Sequence, residues 1–194
     1  MKASVKPGVI FPETADEENI SCELIHDIID GKPYLYKSNS VTLQHIVISD
    51  YLLKTLFEGL RSEQNLMIAS GPGLYIDERN VFTSNIMIFE RSELTIDENY
   101  AQVPPKITLE IDIKVELRDM TEDEYVFLKG VRLVNFGAEK VIWFFTESKK
   151  VIIVTPASWI TYDWDWDVTI IQGITCNVAQ LLREQGSEFA RSSI

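Results

Sequence analysis

The sequence predicts a mixed α/β domain, in which helices flank one central β-sheet. Two amphipathic helical patterns stand far apart in the chain, and short apolar segments with strand-like alternation lie between and after them. The order of elements is helix, several strands, helix, strands, which suits a central sheet covered by helices. The 194 residues are enough for one such domain. We expect residues 1–20 to form an irregular N-terminal arm and residues 21–194 a single domain.

Composition and charge narrow the classes of function. The formal net charge is −12, which repels polyanions and argues against broad nucleic-acid binding, because such binding needs Lys and Arg. A small acidic site that holds a divalent cation is still compatible with this charge. The two cysteines, Cys22 and Cys176, are far apart and are expected to be reduced thiols. We find no apolar run near the roughly 20 residues of a membrane span and no secretory signal, so we expect no membrane partner and a cytoplasmic location.

The first half of the domain is predicted to contain a hairpin, a helix and three strand segments. Two extended segments meet at Asp30-Gly31, a dipeptide typical of hairpin turns. Apolar residues then recur at helical spacing from Leu43 to Leu60, with Ser40 or Thr42 as the candidate cap. The strand segments that follow are "NLMIASG", "LYIDERN" and "SNIMIFE".

The second half begins with a loop at Pro104 and Pro105, since proline cannot donate to a strand ladder. A long strand, "ITLEIDIKVEL", follows it. A helix then starts near Asp119 or Thr121 and ends at Gly137. The last predicted elements are the strands "KVIWFFT" and "KKVIIVTP", further β structure in "ASWITYDWDWDVTIIQG" and a closing helix in "NVAQLLREQGSEF".

The stretch "TLEIDIKVE" places charges along one face of a strand. The alternation puts Leu109, Ile111, Ile113 and Val115 on one side and Glu110, Asp112, Lys114 and Glu116 on the other. A solvated sheet face would explain this pattern. The position between an apolar strand and an amphipathic helix instead indicates a central strand, where charge is costly unless it is paired or binds metal. Acidic pairs of this kind suit Mg²⁺ or Mn²⁺.

Several of these segments together resemble one known family. The segments "NIMIF", the proline loop, "LEIDIK" and "LVNFGAEKVIWFFTESKKV" are similar to those of the Uma-two family. Its members are bacterial proteins regarded as endonucleases of the PD-(D/E)XK restriction-endonuclease-like superfamily. The resemblance covers about residues 24–160 and is most distinctive from Pro104 to Val151. It implies a restriction-endonuclease-like fold and metal-dependent phosphodiester hydrolysis, with water as the nucleophile and Mg²⁺ or Mn²⁺ as the cofactor.

The resemblance also implies roles for particular residues. Glu110 matches the metal-binding glutamate of the family, and Asp112 stands where a standard member of the superfamily has lysine. Lys129 matches a lysine on the following helix that is thought to replace the missing one. Asp27 and His45 fall where many members carry an acid before the first turn and a histidine at the start of the first helix. The implied site is therefore Glu110, Asp112, Lys129 and Asp27.

One position departs from the family pattern. Asn85, in "SNI", stands where the family has the metal-binding aspartate of "PDI" or "ADI". An amide oxygen can ligate a cation but adds no negative charge, so metal binding and activity should be weakened. Asp27 and Asp112 are the available substitutes. Two hypotheses follow: a metal-dependent endonuclease with a weakened ligand, or a catalytically degenerate homodimer that acts as a binding or structural protein.

Three of these residues also have plain structural interpretations. Lys129 lies in an apolar helical sector, so its stem could pack while its ammonium reaches water. His45 shares a helix side with leucines and fits a hydrogen-bonded core histidine better than a catalytic one. Asp27 is close to a turn, where acids often have local roles.

The tryptophans near the C-terminal end form a separate pattern. Trp159, Trp164 and Trp166 could stack on unpaired bases, but aspartates alternate with them and would repel phosphate. We therefore predict a strand whose aromatic face packs on a neighbouring element or on a second subunit.

Overall fold

The computed structural model describes residues 23–37, 42–69, 71, 73–112 and 121–187. These residues form three helices: α1 (Leu43–Gly59), α2 (Glu122–Phe136) and α3 (Val178–Glu184). The strands are β1 (Glu23–Ile29), β2 (Lys32–Lys37), β3 (Asn65–Ala69), β4 (Gly73–Asp77), β5 (Asn80–Thr83), β6 (Ile86–Glu90), β7 (Ile107–Asp112), β8 (Lys140–Phe145), β9 (Lys150–Thr155), β10 (Ser158–Asp163), β11 (Val168–Ile171) and β12 (Ile174–Cys176). None of the helices in this part of the chain has the length and apolar character that crossing a bilayer requires.

A mixed six-stranded sheet forms the centre of the fold, as predicted. Its strand order is β10-β9-β8-β7-β6-β3. Strands β7 and β8 are parallel, whereas the other neighbouring strands are antiparallel. A parallel pair needs a crossover connection, and α2 lies in the chain between these two strands. The predicted class of fold, a mixed sheet flanked by helices, is confirmed.

A second, four-stranded sheet has the order β2-β1-β5-β4. The predicted hairpin at Asp30-Gly31 joins β1 and β2, and both turn residues have positive φ, 52° and 78°, as a tight hairpin turn requires. The pairing of β1 with β2 is irregular between Ile25 and Asp27. Such a bulge turns a strand locally and changes the direction of its side chains. Strands β11 and β12 form a separate small ribbon.

The two faces of the central sheet are covered by different helices. On one face, which we call the α1 face, buried residues of α1 pack against the odd-numbered residues of β7. The members on α1 and β7 are Ile48, Leu52, Leu56, Ile107, Leu109 and Ile111. On the opposite face, the α2 face, α2 packs between the two sheets. Its core includes Ile29, Phe82, Met87, Phe89, Tyr125, Val126, Leu133, Trp143 and Phe145.

The predicted alternation of β7 is therefore confirmed over 107–112. The even-numbered residues of this strand are buried like the odd-numbered ones, since all six positions have little or no exposure. The interpretation of the charged face as solvated is wrong, because α2 and the second sheet cover that face. The rest of the predicted strand, 113–117, lies outside the described residues.

The ends of the helices agree with the sequence signals. The Thr42 side chain caps α1 by accepting from the backbone N–H of His45. Thr121 caps α2 in a capping box with Glu124, in which each side chain accepts from the other residue's backbone N–H. Gly137 ends α2 with φ of 128°, a conformation that favours glycine. The alternative caps, Ser40 and Asp119, lie outside the described residues.

The prediction of one strand that carries all three tryptophans is wrong. Strand β10 ends at Asp163, and a turn closed by the Trp166 N–H and the Asp163 carbonyl follows it. Trp164 is buried among the residues of the α1 face. Trp159 and Trp166 are exposed, and each contacts another ring, Phe127 and Tyr162 respectively. The three indoles therefore do not form one packed aromatic face.

Candidate active site

Two acidic side chains point from β7 into the core of the α2 face. Glu110 is fully buried and Asp112 nearly so. Buried carboxylates are costly unless they are paired, hydrogen-bonded or bound to a cation. Because the two residues are two positions apart on a strand, their side chains lie on the same side of it, toward α2 rather than α1. Each therefore needs a partner from the elements packed on this face.

Lys129 provides that partner for Glu110. It lies on α2, and its side chain is 0% exposed. Its Nζ lies 2.8 Å from Glu110 Oε1 and 3.1 Å from Asp27 Oδ2, and it donates to the Thr83 carbonyl at 2.7 Å. Burial alone would lower the pKa of Lys129, but the Asp27 and Glu110 carboxylates reverse this and hold the pKa above its ordinary value. Lys129 is therefore a buried ammonium, and the interpretation in which it reaches water is wrong.

Asp27 reaches the same cluster from the second sheet. It comes directly after the bulge in β1, which changes the direction of the strand, and its own side chain is buried. Its Oδ1 accepts from the Thr83 backbone N–H at 2.7 Å, and its Oδ2 is shared between Lys129 and the Tyr125 hydroxyl. The interpretation of Asp27 as a local turn acid is wrong. The acid that does lie at the turn is Asp30, which pairs with Arg132 at 2.5 Å.

Tyr125 also belongs to the cluster, although the apolar helical sector around Lys129 gave no indication of this role. Its hydroxyl donates to Asp27 Oδ2 and accepts from Lys129 Nζ at 3.2 Å. Burial raises the pKa of Tyr125, and the neighbouring Asp27 and Glu110 charges raise it further, so the hydroxyl is neutral and able to donate. The spacing of four residues from Lys129 on one helix was the available signal, because such residues are neighbours on the helix surface.

Asn85 lies beside β7 but uses its side chain differently from the prediction. Its Oδ1 accepts from the backbone N–H of Ile111 at 2.8 Å. The ladder between β6 and β7 ends at the pair of Ile86 and Leu109, so the Asn85 amide extends the pairing by one further bond. The oxygen that could ligate a cation is thus engaged with the backbone of the strand that carries Glu110 and Asp112.

Glu110 does not pair both of its carboxylate oxygens within the described residues. Its Oε1 faces Lys129, whereas its Oε2 is buried and has no hydrogen-bond partner in the part of the chain that the structure describes. A buried carboxylate oxygen without a donor is an unusual and costly feature, which a hard cation would relieve. Across 23–37, 42–69, 71, 73–112 and 121–187, three or more His, Cys, Asp or Glu residues are nowhere grouped to hold a metal ion. A cation here would rely on Glu110 with Asp112, next to the charge of Lys129.

His45 is not brought into this cluster. It lies in the first turn of α1, and α1 packs on the other face of the central sheet. Burial lowers the pKa of His45, so the imidazole is neutral at pH 7. The structure therefore brings together Asp27, Glu110 and Lys129, places Asp112 and Asn85 beside them on β7 and before β6, and leaves His45 apart.

The described residues thus form a mixed sheet flanked by helices, with acids on a central strand and a lysine on the helix that connects the two parallel strands. A solved structure with the same fold is a protein of Anabaena variabilis ATCC 29413, described as a "putative nuclease belonging to DUF820". The TM-score is 0.64 over 81% of this chain and 89% of that one, at 14% sequence identity. No protein-family model matches the chain, and no curated protein matches its sequence.

Proposed function

We propose that this protein is a metal-dependent nuclease that hydrolyses phosphodiester bonds in nucleic acid. The observation that carries the proposal is the buried pair of Glu110 and Lys129, in which one Glu110 oxygen has no partner among the described residues. The nuclease-like fold, which is shared with the Anabaena protein, supports it. The resemblance of the sequence to the Uma-two family points to the same reaction, and membership of that family remains a prediction.

Glu110 and Asp112 are the residues that would hold Mg²⁺ or Mn²⁺. Such an ion lowers the pKa of a bound water and stabilises charge on a phosphate. Lys129 contributes a fixed positive charge beside Glu110, suited to orienting a phosphate oxygen or the attacking water. Asn85 adds no charge, and its oxygen is already bonded to Ile111, so we assign it at most a weak role as a ligand.

A second candidate function rests on Asn85 and on the net charge. The neutral amide stands where the family has an acid, and the chain carries a formal charge of −12. A protein with this site would keep the nuclease-like fold and serve as a homodimeric binding or structural protein. The two candidates differ in one property, which is whether Glu110 binds a divalent cation.

The experiment is a calorimetric titration of Mn²⁺ with matched cleavage assays on plasmid and single-stranded DNA. The proteins are the natural chain, Glu110→Gln, Asn85→Asp and, as the control, Glu139→Gln. Glu139 is an exposed acid beyond α2, so its substitution removes the same charge away from the site.

We expect the natural chain and Glu139→Gln to bind Mn²⁺ and cut DNA, and Glu110→Gln to lose both properties. Asn85→Asp should bind the ion more tightly, because affinity for hard cations follows the charge of the ligands. If only Asn85→Asp binds and cuts, the natural chain is a disabled nuclease, and the second candidate replaces the first. If no variant binds the ion, the proposal of a metal-dependent nuclease is wrong.

A further inference from the structure

The Tyr125 hydroxyl lies between the Asp27 carboxylate and the Lys129 ammonium. It donates to Asp27 Oδ2 and accepts from Lys129 Nζ. We infer that Tyr125 is a positioning residue, which acts with Asp27 to hold the Lys129 ammonium against Glu110 Oε1. The catalytic consequence of this role rests on the proposed function, whereas the positioning itself can be measured in a protein without activity.

Asp27 serves this arrangement with both of its oxygens. One accepts from the Thr83 backbone N–H, and the other accepts from Tyr125 and pairs with Lys129. The Asp27 side chain is 0% exposed, and both of its carboxylate oxygens have protein partners. It therefore lacks the unpartnered oxygen that Glu110 has, and we assign it to anchoring rather than to binding a cation.

Thr83 closes the arrangement from the end of β5. Its N–H binds Asp27, and its carbonyl accepts from Lys129 at 2.7 Å. The contacts thus run in a ring from Thr83 to Asp27, to Tyr125, to Lys129 and back to Thr83. A ring fixes a long side chain in one position more firmly than a single ion pair does, because several contacts must break together before the ammonium can move.

The need for such an anchor follows from the lysine itself. Its flexible stem has several rotatable bonds, and its ammonium has no preferred planar geometry. Tyr125 has only two side-chain torsions before the hydroxyl, and its ring is packed in the core of the α2 face. Since Tyr125 and Lys129 lie one turn apart on α2, the hydroxyl is held in place by the same helix that carries the ammonium.

The test is Tyr125→Phe, which keeps the buried ring and removes only the oxygen. The readout is the nitrogen-15 resonance of the Lys129 side-chain ammonium and the rate at which its hydrogens exchange with water, assigned with Lys129→Arg. The control is Thr108→Val, which removes the buried hydroxyl of a residue on the same side of β7 as Glu110. The Thr108 hydroxyl has no hydrogen-bond partner in the described ranges.

In the natural chain we expect the Lys129 ammonium to exchange at least tenfold more slowly than the exposed lysines, as its complete burial implies. Tyr125→Phe should shift the resonance and speed exchange at least fivefold, and Thr108→Val should change neither. An unchanged Lys129 resonance and exchange rate in folded Tyr125→Phe would overturn the inference. Exchange in the natural chain as fast as that of exposed lysines would also overturn it.

Two further measurements distinguish failure of this inference from a variant that does not fold and from failure of the proposed function. If Tyr125→Phe does not fold, Asp27→Asn interrupts the same ring, and an unchanged ammonium resonance there counts against the inference equally. If the natural chain cuts DNA, Tyr125→Phe should lower kcat about tenfold and leave KM unchanged, because misplacement of the ammonium affects the chemical step. If the natural chain does not cut, the proposed function fails, and the resonance still decides the role of Tyr125.

Discussion

The two faces of β7 are equally buried but are built in opposite ways. Toward α1 the strand presents Ile107, Leu109 and Ile111, which pack on the apolar residues of that helix. Toward α2 it presents Thr108, Glu110 and Asp112, and Glu110 pairs there with Lys129. The same six-residue strand thus separates an apolar core from a core that also contains buried charges.

The difference indicates what each face contributes. Apolar burial stabilises the fold at about 25 cal/mol for each Å² removed from water, and the α1 face gains this along its whole length. A buried ion pair gives little net stability over an apolar pair of the same size, because desolvation offsets the attraction. Charges kept on the α2 face at such a cost fit a functional role there, and the α1 face supplies rigidity behind it.

The largest expected effect on stability comes from removing the Lys129 ammonium from the α2 face. Lys129→Met keeps most of the volume of the stem but leaves Asp27 and Glu110 as buried acids without the ammonium. We expect a loss of about 3–5 kcal/mol in the free energy of unfolding, measured by urea denaturation.

The control for this change is Lys150→Met. Lys150 pairs with Asp163 at the surface, where the two side chains are 45% and 59% exposed. Such pairs contribute about 0–1 kcal/mol, so this variant should unfold near the midpoint of the natural chain. Equal losses for the two lysines would contradict the assignment of Lys129 to a buried cluster.

On the apolar face, Leu52→Ala should have the next largest effect. Leu52 is fully buried on α1, against the sheet. We expect a loss of about 3 kcal/mol, from the lost burial and from the cavity that is left behind. Phe57→Ala on the same helix is the control, since Phe57 is exposed and should cost less than about 0.5 kcal/mol. If the natural chain cuts DNA as proposed, folded Leu52→Ala should cut it equally well, and a selective loss of cleavage would mean that the two faces are not separate in function.

The helix caps allow a finer comparison of the two faces. Thr121→Ala removes a capping box from α2, whereas Thr42→Ala removes a single capping bond from α1. We expect losses of about 1 kcal/mol for Thr121→Ala and about half of that for Thr42→Ala in the same urea assay. Because α2 carries both Tyr125 and Lys129, only Thr121→Ala should also speed exchange of the Lys129 ammonium. Equal losses for the two variants would show that the second bond of the box adds nothing.

Much of this arrangement could be read from local patterns. The alternation in "TLEID" separated the two faces of β7, and the Thr121 and Gly137 signals placed both ends of α2. These features depend on residues that are close in sequence, where side-chain periodicity and capping chemistry dominate. The same is true of the hairpin at Asp30-Gly31.

The partners inside the site could not be read in this way. Tyr125 and Asp27 are 98 positions apart, and their contact depends on how the second sheet packs over α2. The sequence marked Asn85 as a possible ligand, but its bond to the Ile111 N–H reflects where the ladder between β6 and β7 stops. The hydrogen-bond partners of these side chains are determined by tertiary packing, which cannot be inferred from residue type and spacing.

The smallest expected effect separates polarity from charge on the α2 face. Thr108 points to the same side of β7 as Glu110, and its buried hydroxyl has no hydrogen-bond partner among the residues that the structure describes. Thr108→Val has nearly the same shape and removes an unsatisfied polar group, so stability should stay the same or rise by up to about 1 kcal/mol. Urea denaturation measures the change. A loss above about 1 kcal/mol would mean that the hydroxyl has a partner, and that the polar network of this face extends along β7 from Glu110 to Thr108.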